Sequence, residues 1–156
     1  IASCLVGSEM CIRDSPEGPL TPEQAKAMED ALKDDRDTFF DSFTQDFFTA
    51  NEELKVTESD RQRAIELAHQ SSQVAALGCM KAFGTTDFRD DLRQIQVPVL
   101  VLHGDADGIV PLEGSGQRTH EAIPGSELVV IEDAPHGLNV SHPDEFNAAL
   151  LAFLRR

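Results

Sequence analysis

The chain has 156 residues and carries 28 Asp and Glu against 13 Lys and Arg, a formal net charge of −15. This length suits one domain with its own core rather than two. The acidic balance argues against nucleic acid and against anionic lipid, both of which recruit Lys and Arg, and no apolar run approaches the ~20 residues of a membrane helix.

Residues 1–15, from Ile1 to Ser15, show neither a helical nor a strand period. Gly7, Ser8 and Glu9 interrupt the apolar stretch, and no basic residue precedes it, so the run does not read as a signal peptide. We expect a non-native or unstructured leader here, set it aside from the fold, and expect the chain to be a fragment that lacks its N-terminal part.

Residues 16–91 read as helical. Thr21-Pro-Glu-Gln24 is a helix start, with Thr as N-cap, Pro in the first turn and Gln at the capping-box position. Ala25, Met28, Leu32, Phe39, Phe43 and Phe47 then follow at spacings of one helix face, with Asp34, Asp35, Arg36 and Asp37 on the wet side. The five Phe between 39 and 48 exceed one stripe and imply a partner surface or a pocket wall. Thr57-Glu-Ser-Asp60 opens a second helix, and a third runs from Ser71 to Phe83, ended by Gly84.

Residues 92–156 change character. Val97-Pro-Val-Leu-Val-Leu-His103 and Glu127-Leu-Val-Val-Ile131 are apolar, β-branched runs that suit strands buried on both faces. A helix is expected from Pro111 to Ile123, and a last one capped by Ser141 with Phe146, Leu150 and Phe153 on one face. The order strand, helix, strand, helix predicts a right-handed parallel βαβ unit, hence an α/β fold. Two strands cannot bury their own faces, so a larger sheet is implied, and the isolated chain is expected to be poorly soluble or a homo-oligomer.

The cysteines, Cys4, Cys11 and Cys79, are odd in number and form no C-x-x-C pair. Reduced thiols in a cytoplasmic protein are the expectation.

The chemistry concentrates at two strand ends. His103-Gly-Asp-Ala-Asp-Gly-Ile-Val-Pro111 follows the first strand and Ala134-Pro-His-Gly137 the second. Ligands bind at the carboxyl ends of strands in open α/β sheets. An acid on one loop and a His on the next form the acid–base part of a nucleophilic triad, the carboxylate fixing the imidazole tautomer while the imidazole takes the nucleophile's proton. Asp105 and Asp107 also suit turn and capping roles, His103 a packing role, and His69, His120 and His142 no chemistry. His103, Asp105, Asp107 and His136 do not match an established metal-ligand spacing.

The order acid then His fits the last two steps of Ser, Asp, His. With it, residues 92–156 resemble the C-terminal end of an α/β-hydrolase, in particular the cofactor-free bacterial haloperoxidases and aryl esterases, also called non-haem chloroperoxidases and perhydrolases. The resemblance extends back through Ala82-Phe-Gly-Thr-Thr-Asp-Phe88, and more loosely to Pro16. It implies an incomplete α/β-hydrolase fold, with a helical cap over 16–91 and the C-terminal part of the core over 92–156. It places the triad acid on Asp107 rather than Asp105 and the base on His136, and implies no metal or organic cofactor.

The elbow that presents a catalytic serine needs Gly-x-Ser-x-Gly. Gly104 and Gly108 are the only glycines four apart, and Ala106 lies between them. The chain thus holds an acid and a base without their nucleophile. The reading that follows is part of a serine-dependent hydrolase acting on carboxylic esters, or on carboxylic acids with peroxide, and inactive alone. A non-catalytic binding or interaction protein on the same scaffold is the alternative. Dehalogenation or carbon–carbon bond hydrolysis would need deciding residues that this sequence does not contain.

Overall fold

The computed structural model describes residues 21–83 and 88–156. The expectations for the leader and for Gly84 to Asp87 lie outside the described residues, as do Cys4 and Cys11; Cys79 is a free, exposed thiol.

The helical part begins as expected. Thr21 Oγ1 accepts the Gln24 N–H, and the Gln24 side chain accepts the Thr21 N–H, a reciprocal cap that starts α1 (Pro22–Asp34). The single helix expected through Phe47 is two. Asp35 leaves the helical region (φ −146°, ψ 92°), and its carboxylate accepts the Thr38 N–H and hydroxyl, capping α2 (Arg36–Phe47). An Asp side chain that bonds local backbone competes with helix continuation, and here it wins. Arg36 is not on a wet face. Its guanidinium donates to the carbonyls of Ala68 and Ser71 and lies 5.0 Å over the Phe40 ring.

Residues 49–54 form a hairpin where only helix was expected. β1 (Thr49–Ala50) pairs antiparallel with β2 (Glu53–Leu54) across Asn51 and Glu52, both at positive φ, as the tight turn of a hairpin demands. α3 (Glu58–His69) starts at a second capping box, between Thr57 and Asp60. Its Arg61 is buried and donates to Glu58, Asp41 and Thr44, locking α3 to α2. α4 (Gln73–Phe83) and the short α5 (Arg89–Leu92) follow. Leu32, Phe39 and Phe40 are the buried centre, with Phe43, Ile65 and Leu77 packed around them.

β3 (Leu100–Gly104) and β4 (Glu127–Ile131) are parallel, in register from Leu100 opposite Glu127 to Gly104 opposite Ile131. The helix expected from Pro111 splits into a 3-10 turn at Leu112–Gly114 and α6 (Gly116–Ala122). The break falls at Ser115, fully buried, whose hydroxyl donates to Pro111 O at 2.7 Å. α7 (Leu138–Ser141) and α8 (Pro143–Leu154) end the chain. Ser141 is the last residue of α7 rather than the cap of α8; His142 holds that place, because Pro143 takes a first-turn position. The strands are not buried on both faces. Leu100, Val101 and Leu102 are half-buried and Val130 is 43% exposed, since among the described residues the sheet has two strands. Ile131, Ala134 and Leu138 pack with Leu102 and Phe146 beneath the strand ends.

Candidate active site

The loops after β3 and β4 leave side by side. The N–H of Asp105 donates to Ile131 O and that of Ala106 to Ala134 O, so the two loops are zipped together. Gly104 permits the approach: a Cβ there would stand 2.1 Å from Ala134 O.

Asp107 and His136 meet. His136 Nδ1 lies 2.7 Å from Asp107 Oδ2. Asp107 Oδ1 accepts the N–H groups of Ile109 at 3.0 Å and Val110 at 2.8 Å, which fixes the carboxylate plane. Asp107 is buried. Burial alone pushes its carboxyl up, but His103, His136 and the Val110 N–H outweigh burial and hold it well below the usual carboxylate range. An ionised carboxylate only accepts, so His136 Nδ1 carries the proton and Nε2 is the basic nitrogen.

Asp105 faces the other way. It is exposed, and its Oδ1 accepts the Asp133 N–H at 2.6 Å. Asp133 sits at φ 55°, a region Asp enters more readily than most residues. Its carboxylate accepts from Asn51 Nδ2 at 2.7 Å and Lys55 Nζ at 2.6 Å. The hairpin is thereby pinned to the loop that carries His136. Lys55 holds the Asp133 carboxyl below its ordinary range, with Asn51 adding to the effect.

The helical part also reaches His136 directly. The Phe47 ring meets His136 edge-on, with centroids 4.7 Å apart, and Phe47 O accepts the Gly137 N–H at 2.9 Å. A Cβ on Gly137 would stand 2.3 Å from Phe48 Cε1. The Phe run therefore divides: Phe39, Phe40 and Phe43 build the helical core, while Phe47 and Phe48 close on the His136 loop.

Three of the other histidines lie elsewhere. His69 packs on Phe40, His120 bonds Ser126, and His142, at the N-cap position of α8, bonds the Ser141 hydroxyl. His103 is buried, with Nε2 2.8 Å from Val110 O and 3.3 Å from Asp107 Oδ2. Sequence reasoning read it as a packing or hydrogen-bonding residue; its contact with the acid had only the i, i+4 spacing as a signal. Nothing local in the sequence marked Lys55, Asn51 or Asp133. Among the described residues no cluster of three or more His, Cys, Asp and Glu is arranged to hold a metal ion, and no helix is long and apolar enough to cross a membrane.

A carboxylate and an imidazole thus face each other across adjacent strand-end loops, and the chain belongs to the α/β-hydrolase fold family, whose profile matches residues 26–143. It is 33% identical over 145 residues to the non-heme chloroperoxidase CPO-A1 of Kitasatospora aureofaciens, covering 91% of this chain and 52% of that protein. It is 42% identical over 74 residues to the bifunctional esterase/perhydrolase DCH of Acinetobacter calcoaceticus, covering 47% of this chain and 27% of that protein. Among solved structures, the bromoperoxidase of Bacillus anthracis superimposes with a TM-score of 0.89 at 43% identity, over 92% of this chain and 52% of that one. The chain spans about half the length of the curated relatives that it matches along most of its own length.

Proposed function

We propose that this chain supplies the acid and base of a Ser-Asp-His triad, and that the whole protein hydrolyses carboxylic esters or transfers their acyl group to peroxide. The observation that carries this reading is the 2.7 Å contact between His136 Nδ1 and a buried, multiply bonded Asp107 carboxylate. The names of the relatives, chloroperoxidase and esterase/perhydrolase, support the substrate class. The nucleophile comes from residues outside this sequence, which has no Gly-x-Ser-x-Gly.

In this reading the serine hydroxyl attacks the acyl carbon while His136 Nε2 takes its proton. The imidazolium returns that proton to the leaving alkoxide, and an acyl-serine remains. Water, or hydrogen peroxide, attacks the acyl-serine with His136 again as base, giving the acid or the peracid. Asp107 orients His136 and stabilises its cation; it does not take the proton itself. The odd cysteine count supports a cytoplasmic setting.

The test is to read the coding DNA on the 5′ side of the Ile1 codon and assay the longer protein on aryl esters, with and without peroxide. An in-frame Gly-x-Ser-x-Gly and a fall of about 10⁶-fold in kcat for His136→Ala are expected. A frame without that motif, or a His136→Ala protein that keeps most of its activity, overturns the reading.

A further inference from the structure

We propose that His103 is a positioning residue for the Asp107 carboxylate, standing against the same oxygen that faces His136. This deepens the acid–base reading and rests on it.

Val110 O only accepts, and His103 Nε2 lies 2.8 Å from it, so that nitrogen carries a proton. The same nitrogen lies 3.3 Å from Asp107 Oδ2. One N–H thus stands between two acceptors that are themselves linked, because the Val110 N–H donates to Asp107 Oδ1 at 2.8 Å. Three groups are thus brought into mutual contact: the carboxylate, the Val110 peptide units and the imidazole. Oδ1 accepts from Ile109 and Val110 and Oδ2 faces His136 Nδ1 at 2.7 Å, while His103 Nε2, bonded to Val110 O, stands 3.3 Å from the same Oδ2. A carboxylate held in this way cannot swing from His136 without breaking its bonds to Ile109 and Val110 or displacing the His103 ring beside it.

The imidazole is itself clamped. His103 is the penultimate residue of β3, just before Gly104, and its side chain is 4% exposed. Its other ring nitrogen faces the start of α6: a Cβ on Gly116 would stand 2.6 Å from His103 Nδ1. Strand, turn and helix therefore place this ring together, and an apolar side chain of similar size would fill the space without the N–H. Of the groups that hold Asp107 ionised, His103 acts alongside His136 rather than as distant packing.

The experiment is proton NMR of the full chain, reading the downfield signal of the His136 Nδ1 proton bonded to Asp107. The signal is expected in the unaltered chain, lost in His103→Leu, and retained in His103→Gln, whose amide N–H reaches the same acceptors. Circular dichroism establishes that each variant is folded. A signal that persists in His103→Leu, or that is lost equally in both folded variants, overturns the proposal. Where His103→Leu does not fold, Gly116→Ala carries the test, since it displaces the ring with its chemistry intact: loss of the signal from a folded chain supports the proposal, and an unchanged signal overturns it. Absence of the signal from the unaltered chain overturns the acid–base reading as well, so the two failures are distinct.

Discussion

Lys55 Nζ donates to Asp133 Oδ2 at 2.6 Å, and this pair joins the hairpin after α2 to the loop that positions His136. Asp133 N–H in turn donates to Asp105 on the neighbouring loop. Three segments far apart in sequence thus meet on one carboxylate and its peptide. Asp133→Asn keeps the left-handed backbone, which Asn also adopts, and removes the charge that Lys55 faces. It is expected to lower the melting temperature, as is Lys55→Met. The double variant is expected to lose less than the sum of the two, because either single change breaks the same contact. Strict additivity in thermal melts would show that the hairpin and the loop are held by other contacts.

The two close glycine approaches differ in what they meet. A Cβ on Gly104 runs into the backbone carbonyl of Ala134 at 2.1 Å, whereas one on Gly137 runs into the rings of Phe48 and Phe47. Rings can turn or shift; the carbonyl moves only with its loop. Gly104→Ala is therefore expected to cost about 3 kcal/mol or more, the upper end for overpacking, and Gly137→Ala about 1–2 kcal/mol. Denaturant midpoints of the two variants check the order, and the reverse order would mean that the aromatic contact is the stiffer one.

The sequence was most readable where the determinants were local. Thr21 with Gln24 and Thr57 with Asp60 are caps complete within four residues, and both helices start where these caps require. The runs ending at His103 and Ile131 carry enough β-branched residues to mark both strands. Asp35 was misread because a cluster of acids looks like a wet helix face until one of them turns back on its own backbone. The hairpin at 49–54 was invisible because strands of two residues have no period, and its Asn51-Glu52 turn lacks the usual glycine. At the site, the chain order of Asp107 and His136 was legible. The contacts of His136 with Phe47 and of Asp133 with Lys55 were not, since they cross more than seventy residues of chain and depend on how the helical part docks.

Among the carboxylates held below their ordinary values, Glu58 and Asp107 are two through which acid should act on this fold. The Arg61 guanidinium, helped by Gln62, holds the Glu58 carboxyl down at about 2, against 4.5 ordinarily. Asp107 is also held below its ordinary range, against the opposing effect of burial. A group lowered on folding stabilises the native state above its unfolded value, and that contribution is lost as the pH falls towards the folded value. Both contributions are present in full at neutral pH. The Glu58 part is expected to fade between 4.5 and about 2, and the Asp107 part below 3.8. Thermal melts across this range should therefore show Glu58→Gln flattening the upper part of the decline while leaving the lower part in place. A decline identical to that of the unaltered chain would place the acid sensitivity on other groups.

Phe47 touches the loop of His136 in two separable ways. Its carbonyl accepts the Gly137 N–H, and its ring lies edge-on to the His136 imidazole at 4.7 Å between centroids. Phe47→Leu removes the second contact and leaves the first, because the backbone bond does not depend on the side chain. An aromatic pair of this geometry contributes about 0.5–1.5 kcal/mol beyond its buried area. If that contribution holds the imidazole in its productive orientation, kcat/KM of the longer protein on an aryl ester should fall about 2- to 13-fold. Phe47→Tyr, which keeps the ring, should lie near the unaltered value. A similar fall in both variants would assign the effect to the shape of the substrate site instead of the contact with His136. An unchanged rate in Phe47→Leu would mean that Asp107 and the loop backbone hold the base without help from the helical part.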